Sequence, residues 1–336
     1  MTLPLRPRTA LALALVVLPA LLWPAAAGEP KYPHVNTTRT WVVDPKWPEK
    51  PAGFTWGHVP GVAVDAEDNV YVFTRADPPD QVYSPSGKYL RGWGEKSLKT
   101  AHHIKIDHEG NVWVADIGNH VVEKYTPEGK LLMSIGKRGK AGRDREHFNM
   151  PTDVAFGPEG DIYVSDGYGN ARVVYFTKDG SYKGEWGELG SRPGQFSIPH
   201  AIAADSKGRI YVADRNNVRV QVFDPRGKLL AVWNDLIVPW GFCVTKDDHI
   251  WVCGSSPMQW RKTDSSLGCP PKDQIFMKFT PEGKLVQLLT LPKGLDGLER
   301  PGEVNWVHAI AVDSRGNLYL GDIIGRRAQK FVLREP

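Results

Sequence analysis

One pattern recurs six times in this chain of 336 residues. Each copy has an apolar triplet, a turn carrying Asp, and a run of β-formers such as Ile-Tyr-Val, often closed by a second Asp. The copies fall at residues 61–75, 103–116, 153–166, 201–214, 241–254 and 309–322. After each of the first five come a third such run, a Gly-Lys-type turn and a fourth run often ending in Trp. Residues 218–223, Pro225-Arg226-Gly227-Lys228 and 229–233 are one example. Alternating Val, Ile, Tyr and Trp between such turns reads as strands joined by tight hairpins, because Gly and Asn tolerate the positive φ those hairpins need. Four antiparallel strands repeated at this spacing make a propeller blade. The expected fold is therefore all-β, a six-bladed β-propeller.

Aligned five residues before the opening turn residue, the copies sit at 60, 102, 152, 200, 240 and 308, at intervals of 42, 50, 48, 40 and 68. The long interval contains residues 255–272, rich in Ser, Pro and Gly, which read as an irregular surface loop. The last copy stops at Phe331-Val332-Leu333 without a fourth strand, while Thr37 to Val43 is an orphan strand near the other end. Pairing the two closes the ring and removes an exposed edge, so residues 38–336 read as one domain rather than two sets of three blades. Residues 1–27 read as a signal peptide: Arg6 and Arg8, an apolar run over 10–23, and Ala25-Ala26-Ala27 as a cleavage site. Residues 28–37 read as a leader. Export to the periplasm or the medium is the expectation, with no stable membrane insertion after cleavage. A net charge of +4, dispersed along the chain, argues against a nucleic-acid partner. Of the three cysteines, Cys243 and Cys253 flank one hairpin and are open to either a disulfide or two buried thiols.

The aligned slot lies near the start of the strand that lines a propeller's central channel. It holds Pro60, His102, Thr152, His200, Trp240 and His308. Alone, each histidine reads as a packed core residue. Together they occupy alternate blades of a six-fold ring, so their imidazoles can converge on the axis. Three neutral imidazoles with an open fourth position are a catalytic zinc arrangement. His103 is expected to point to the other side of its strand. The residues just past each second strand return to the same face, and there stand Arg75, Tyr168 and Arg215. Guanidinium forks suit a substrate carboxylate, and a phenol near cations can have its pKa lowered enough to act as a base. The plainer reading pairs the arginines with the strand-closing Asp116, Asp166, Asp214 and Asp322, which read as turn caps.

The spacing resembles that of the NHL-repeat propellers. Specific blocks go further: Phe73-Thr74-Arg75, Asp166-Gly167-Tyr168-Gly169-Asn170, and Arg192-Pro193-Gly194-Gln195-Phe196-Ser197-Ile198-Pro199-His200. They resemble the peptidyl-α-hydroxyglycine α-amidating lyase family, over roughly residues 57–331. That resemblance implies zinc on His102, His200 and His308, Tyr168 as base, and Arg75 and Arg215 lining the site. The implied reaction cleaves the C–N bond of a peptidyl-α-hydroxyglycine, releasing an amide and glyoxylate. The family has an acidic residue after its third histidine that helps bind calcium on the axis. Here Ala309 stands there, leaving only backbone carbonyls for that ion. Gly169 and Val222 stand where the family carries disulfide cysteines. The expected partner is a peptide or small molecule with an α-hydroxyglycine-like end, ureidoglycolate being a smaller example. The alternatives are a non-catalytic NHL propeller that binds a protein or glycan on the histidine face, and a calcium-dependent propeller hydrolase, which usually needs Asn and carboxylate ligands.

Overall fold

The turn chemistry read from the sequence is what shapes each hairpin. Asp65, Asp107, Asp205 and Asp313 each accept N–H bonds from the backbone two and four residues on, which closes the turn between the first two strands of their blades. At the other end, Asp116 accepts from the Lys99 and Thr100 amides, and Asp322 from Asn305, Trp306 and Gly325. These carboxylates pin the incoming loop of each blade to the end of its second strand. Asp166 and Asp214 do the same work and also pair with Arg172 and Arg219.

The structure is a computed structural model describing residues 39–259, 261, 262, 264 and 268–334. The segments read as signal peptide and leader lie outside the described residues. Six four-stranded antiparallel sheets form, with no α-helix among the described residues. The innermost strands are Gly61–Val64, Ala101–Ile106, Asp153–Phe156, Pro199–Ala204, Val238–Val244 and Val307–Val312. Each packs on the inner strands of both neighbouring blades, so the ring closes. Closure is completed by Thr40–Val43, which pairs with Arg327–Arg334, Trp41 opposite Leu333. The protein is a six-bladed β-propeller.

Six apolar clusters fill the six spaces between blades. The second strands, covered on both faces, are buried throughout in five-residue runs such as Val112–Asp116 and Ile162–Asp166. The outermost strands are largely exposed, as in Leu131–Ile135, where only the last residue is buried.

One irregularity decides the site. In blades 2, 4, 5 and 6 the pairing of the first two strands skips one residue: His102, His200, Trp240 and His308. Each is the extra residue of a β-bulge, and a bulge re-aims its side chain relative to strict alternation.

Candidate metal centre

The bulged histidines meet on the axis. His102, His200 and His308 are all but completely buried. In each, Nδ1 donates to the slot residue of the next blade: His102 to Thr152 O, His200 to Trp240 O and His308 to Pro60 O, at 2.5, 2.6 and 2.7 Å. A carbonyl only accepts, so these contacts fix the proton on Nδ1 and leave Nε2 with its lone pair. Such a backbone partner is the usual support of a metal-binding imidazole. The Nε2 atoms of His308 and His200 lie 3.2 Å apart, and the three potential ligand atoms fall within 4.8 Å of one another. Burial, followed by the neighbouring imidazoles and arginines, pushes all three pKa values well below the ordinary histidine value. Neutral, tautomer-fixed and convergent, the three rings form a set that can hold a metal ion.

His103 does not lie on the far side of its strand. The bulge at His102 cancels the alternation, and both rings end up on the axis. His103 Nδ1 donates to Thr152 O at 3.0 Å, and its ring centroid is 4.8 Å from that of His308.

Tyr168 follows the second strand of blade 3. Its hydroxyl sits 3.1 Å from His102 Nε2 and 3.0 Å from His200 Nε2, at the open side of the triad. Gly167 brings it there: a Cβ on Gly167 would lie 2.0 Å from Pro199 O of blade 4. Burial raises the phenol pKa, and the positive charges of Arg215 and Arg75 only partly offset it. The arginines alone therefore do not lower it below the ordinary tyrosine value. Arg215 opens a short 3-10 turn, Arg215–Asn217, and is fully buried. Its guanidinium carbon is 5.5 Å from the Tyr168 ring centroid and 5.2 Å from that of Trp240. Arg75 donates from Nε to Ala101 O at 3.0 Å, while Nη1 is 3.5 Å from His58 Nδ1. The strand-closing aspartates take Arg172 and Arg219 instead of these two.

Three features escaped the sequence. His58, one turn before the first strand, supports Arg75. Trp240 occupies the same repeat slot as the histidines, which was the available signal. The 255–272 insertion is not merely a surface loop: Gly268 lies against Trp306 and near Arg215 Nη1, and Cys269 is 3% exposed. Cys243 and Cys253 are free thiols, because the register sets Cys243 opposite Trp251 and Cys253 opposite Gly241.

Three residues along the inner strand from His102, Lys105 reaches across the channel. Its Nζ is 3.3 Å from Asp153 Oδ2 and 3.3 Å from Phe242 O. Calcium needs six to eight oxygen ligands. With Ala309 beside His308 and these two oxygens held by an ammonium group, the residues here do not fit an axial calcium ion.

Fold and site together define an NHL-type propeller with a histidine-lined axial centre. The NHL repeat model matches residues 148–176 and 196–223. NHL repeat-containing protein 3 of Homo sapiens is 32% identical over 324 residues, covering 86% of this chain and 83% of that protein. Peptidyl-glycine alpha-amidating monooxygenase B of Xenopus laevis is 35% identical over 331 residues, 86% of this chain but 35% of its own length. Peptidyl-alpha-hydroxyglycine alpha-amidating lyase 2 of Drosophila melanogaster is 30% identical over 204 residues, 52% of this chain and 49% of that one. The chain thus spans about a third and about half of the lengths of the last two. It belongs to the NHL-repeat family that includes NHL repeat-containing protein 3, and it is homologous to the peptidyl-α-hydroxyglycine α-amidating lyases.

Proposed function

We propose that the protein is a zinc-dependent lyase that cleaves the C–N bond of a peptidyl-α-hydroxyglycine, or a similar α-hydroxy amide, to an amide and glyoxylate. The homology to amidating lyases supports a lyase role. The observation that carries the reading is the convergence of three Nε2 atoms with the Tyr168 hydroxyl 3.0–3.1 Å from two of them. His102, His200 and His308 would hold the ion through Nε2. When bound, zinc would supply Lewis-acid activation of the substrate hydroxyl.

The chain's own residues do the rest. Arg75 takes the substrate carboxylate on its terminal N–H groups, its Nε being already committed to Ala101 O. Tyr168, as phenolate, accepts the hydroxyl proton. Arg215, stacked on the phenol ring, favours that ionised form by its charge. As the C=O of glyoxylate forms, the C–N bond breaks and its electron pair stays on nitrogen, which takes up the proton. Arg215 is buried and Arg75 partly buried, which limits the water that competes for the carboxylate. We also take the protein to be exported, on the signal-like character of residues 1–27.

Metal analysis and a glyoxylate assay test this reading. The purified protein should hold about one zinc per chain, and His200→Ala should lose it. Tyr168→Phe should keep the metal while glyoxylate release falls about 10²–10⁴-fold. A fully active Tyr168→Phe would remove the tyrosine from its role. A protein that binds metal but releases no glyoxylate from any α-hydroxy amide would favour a binding propeller.

A further inference from the structure

One backbone bond recurs around the ring at the histidine face. The residue just past a second strand donates its N–H to the carbonyl two residues before the slot. Arg75 donates to His58, Ile117 to Thr100, Tyr168 to Met150, Arg215 to Ile198 and Ile323 to Trp306. The repeat therefore seats a defined neighbour beside each group that faces the metal centre. The two arginines differ in that neighbour. Arg215 has the aliphatic Ile198, and its guanidinium stacks on Tyr168 and Trp240 instead. Arg75 has the imidazole of His58, whose Nδ1 lies 3.5 Å from Arg75 Nη1.

The segment that carries His58 is held on both sides. Val59 is buried and its N–H donates to Asp322 O of blade 6, while the buried Trp56 donates its indole N–H to Gln81 Oε1 of blade 1 at 2.7 Å. Gly57 lets the segment close on the strand end, because a Cβ there would lie 2.5 Å from Arg75 O. His58 O also accepts the Thr74 hydroxyl. The ring is half-buried. Burial, and then the charges of Arg75 and Arg326, lower its pKa against the opposing charge of Asp296. A guanidinium only donates, so the neutral imidazole takes the bond on its Nδ1 lone pair and carries its proton on Nε2. Arg75 is thus fixed at two nitrogens, Nε on Ala101 O and Nη1 on His58. One bond leaves a guanidinium free to swing, whereas two hold its plane. The remaining N–H groups on Nη1 and Nη2 then meet a carboxylate in one orientation, with little side-chain freedom left to lose on binding.

We propose that His58 is a positioning residue for substrate recognition: through its Nδ1 contact it holds the Arg75 fork in the orientation that grips the carboxylate of an α-hydroxyglycine end. The inference rests on the lyase reading, which puts that carboxylate at Arg75. His58 acts through Arg75 alone, and neither metal binding nor proton transfer at Tyr168 depends on it. The different neighbours of the two arginines divide their work: the one backed by an imidazole anchors the carboxylate, and the one backed by an aliphatic residue serves the phenol.

The test separates recognition from chemistry. N-acetylglycine and N-acetylglycinamide differ only in carrying a carboxylate or a carboxamide. Their affinities for the zinc-loaded protein are measured by titration calorimetry, beside kcat and KM on N-acetyl-α-hydroxyglycine. The wild type should prefer the acid. Two variants without an acceptor, His58→Leu and His58→Ala, should each weaken the acid about tenfold and leave the amide within about twofold. They should raise KM by a similar factor, keep kcat within about threefold, and retain full zinc content. His58→Asn, whose side-chain oxygen can accept where Nδ1 did, should return the acid to within about threefold of wild type. In an Arg75→Ala background, His58→Leu should have no further effect. Acid affinity unchanged in both acceptor-free variants, or a loss as large for the amide or in the Arg75→Ala background, overturns the assignment. A wild type that releases glyoxylate but binds acid and amide alike overturns it too, while the lyase reading stands. No glyoxylate, with an acid preference that both acceptor-free variants lose, would sink the lyase reading and leave the paired anchor of Arg75 and His58 standing.

Discussion

Four imidazoles share one buried cluster, and burial sets their protonation. His103 is held at about 3, and His102, His200 and His308 lie well below the ordinary value. In the unfolded chain each titrates near ~6.5. Above that pH neither state is protonated and the shifts contribute nothing. Below it the unfolded chain takes up protons that the folded chain refuses, so stability falls as pH drops. Buried acids such as Asp153 and Asp166, whose pKa values burial raises, act in the opposite sense at lower pH. A difference measurement isolates the histidine. In metal-free protein, calorimetric stability of wild type relative to His103→Asn should be constant from pH 8 to 7 and decline by up to about 1.4 kcal/mol per pH unit below ~6.5. A difference that stays flat down to pH 5 would mean that His103 is not held neutral. The sequence showed which histidines share a repeat slot. It did not show that His103 joins them, because alternation along a strand predicts the opposite.

Bulges and loop ends, rather than regular strands, aim the functional side chains. The bulges put His102, His200 and His308 out of register with their pairing partners, and nothing in the local sequence marks them: Ala-His-His, Pro-His-Ala and Val-His-Ala share only the histidine. Gly167 is a clearer case of a position only one residue can hold. The backbone of blade 4 approaches so closely that any Cβ meets Pro199 O. Gly167→Ala should therefore push the Tyr168 loop off blade 4 while leaving the histidines in place. The expected outcome is full metal content, with kcat lowered about 10²-fold, the usual result of a displacement near 1 Å. Unchanged kcat would show that the loop relaxes freely. The same logic applies to the insertion at 255–272. Its Ser, Pro and Gly content reads as loop, yet Gly268 reaches Trp306 and Arg215 and Cys269 is buried beside them.

The ring as a whole needs a closure at its rim and a brace at its axis. The rim closure was legible, since a sixth blade short of one strand and an orphan strand near the other end imply one another. The axial brace was not. Lys105 of blade 2 bonds Asp153 of blade 3 and the Phe242 carbonyl of blade 5, and Asp153 also accepts the Ile202 amide of blade 4. Lys105→Met would leave the fully buried Asp153 without its cation, and a loss of about 3 kcal/mol is expected. Asp153→Asn in the same chain should return part of it, because the stranded charge is then gone. Calcium chelators should leave the melting temperature unchanged, and a chelator-induced drop would restore an ion to the axis. What the sequence determined by itself was periodic: strand type, blade number, ring closure and the slot that carries His102, His200 and His308. These follow from turn residues and hydrophobic alternation, which act over a few residues. What only the tertiary structure decided was where particular side chains are aimed: His103 onto the axis, Lys105 across the channel, and Trp240 with the insertion beside Arg215. Those depend on where a bulge or a loop end aims a side chain after the ring has closed, and no local pattern encodes that.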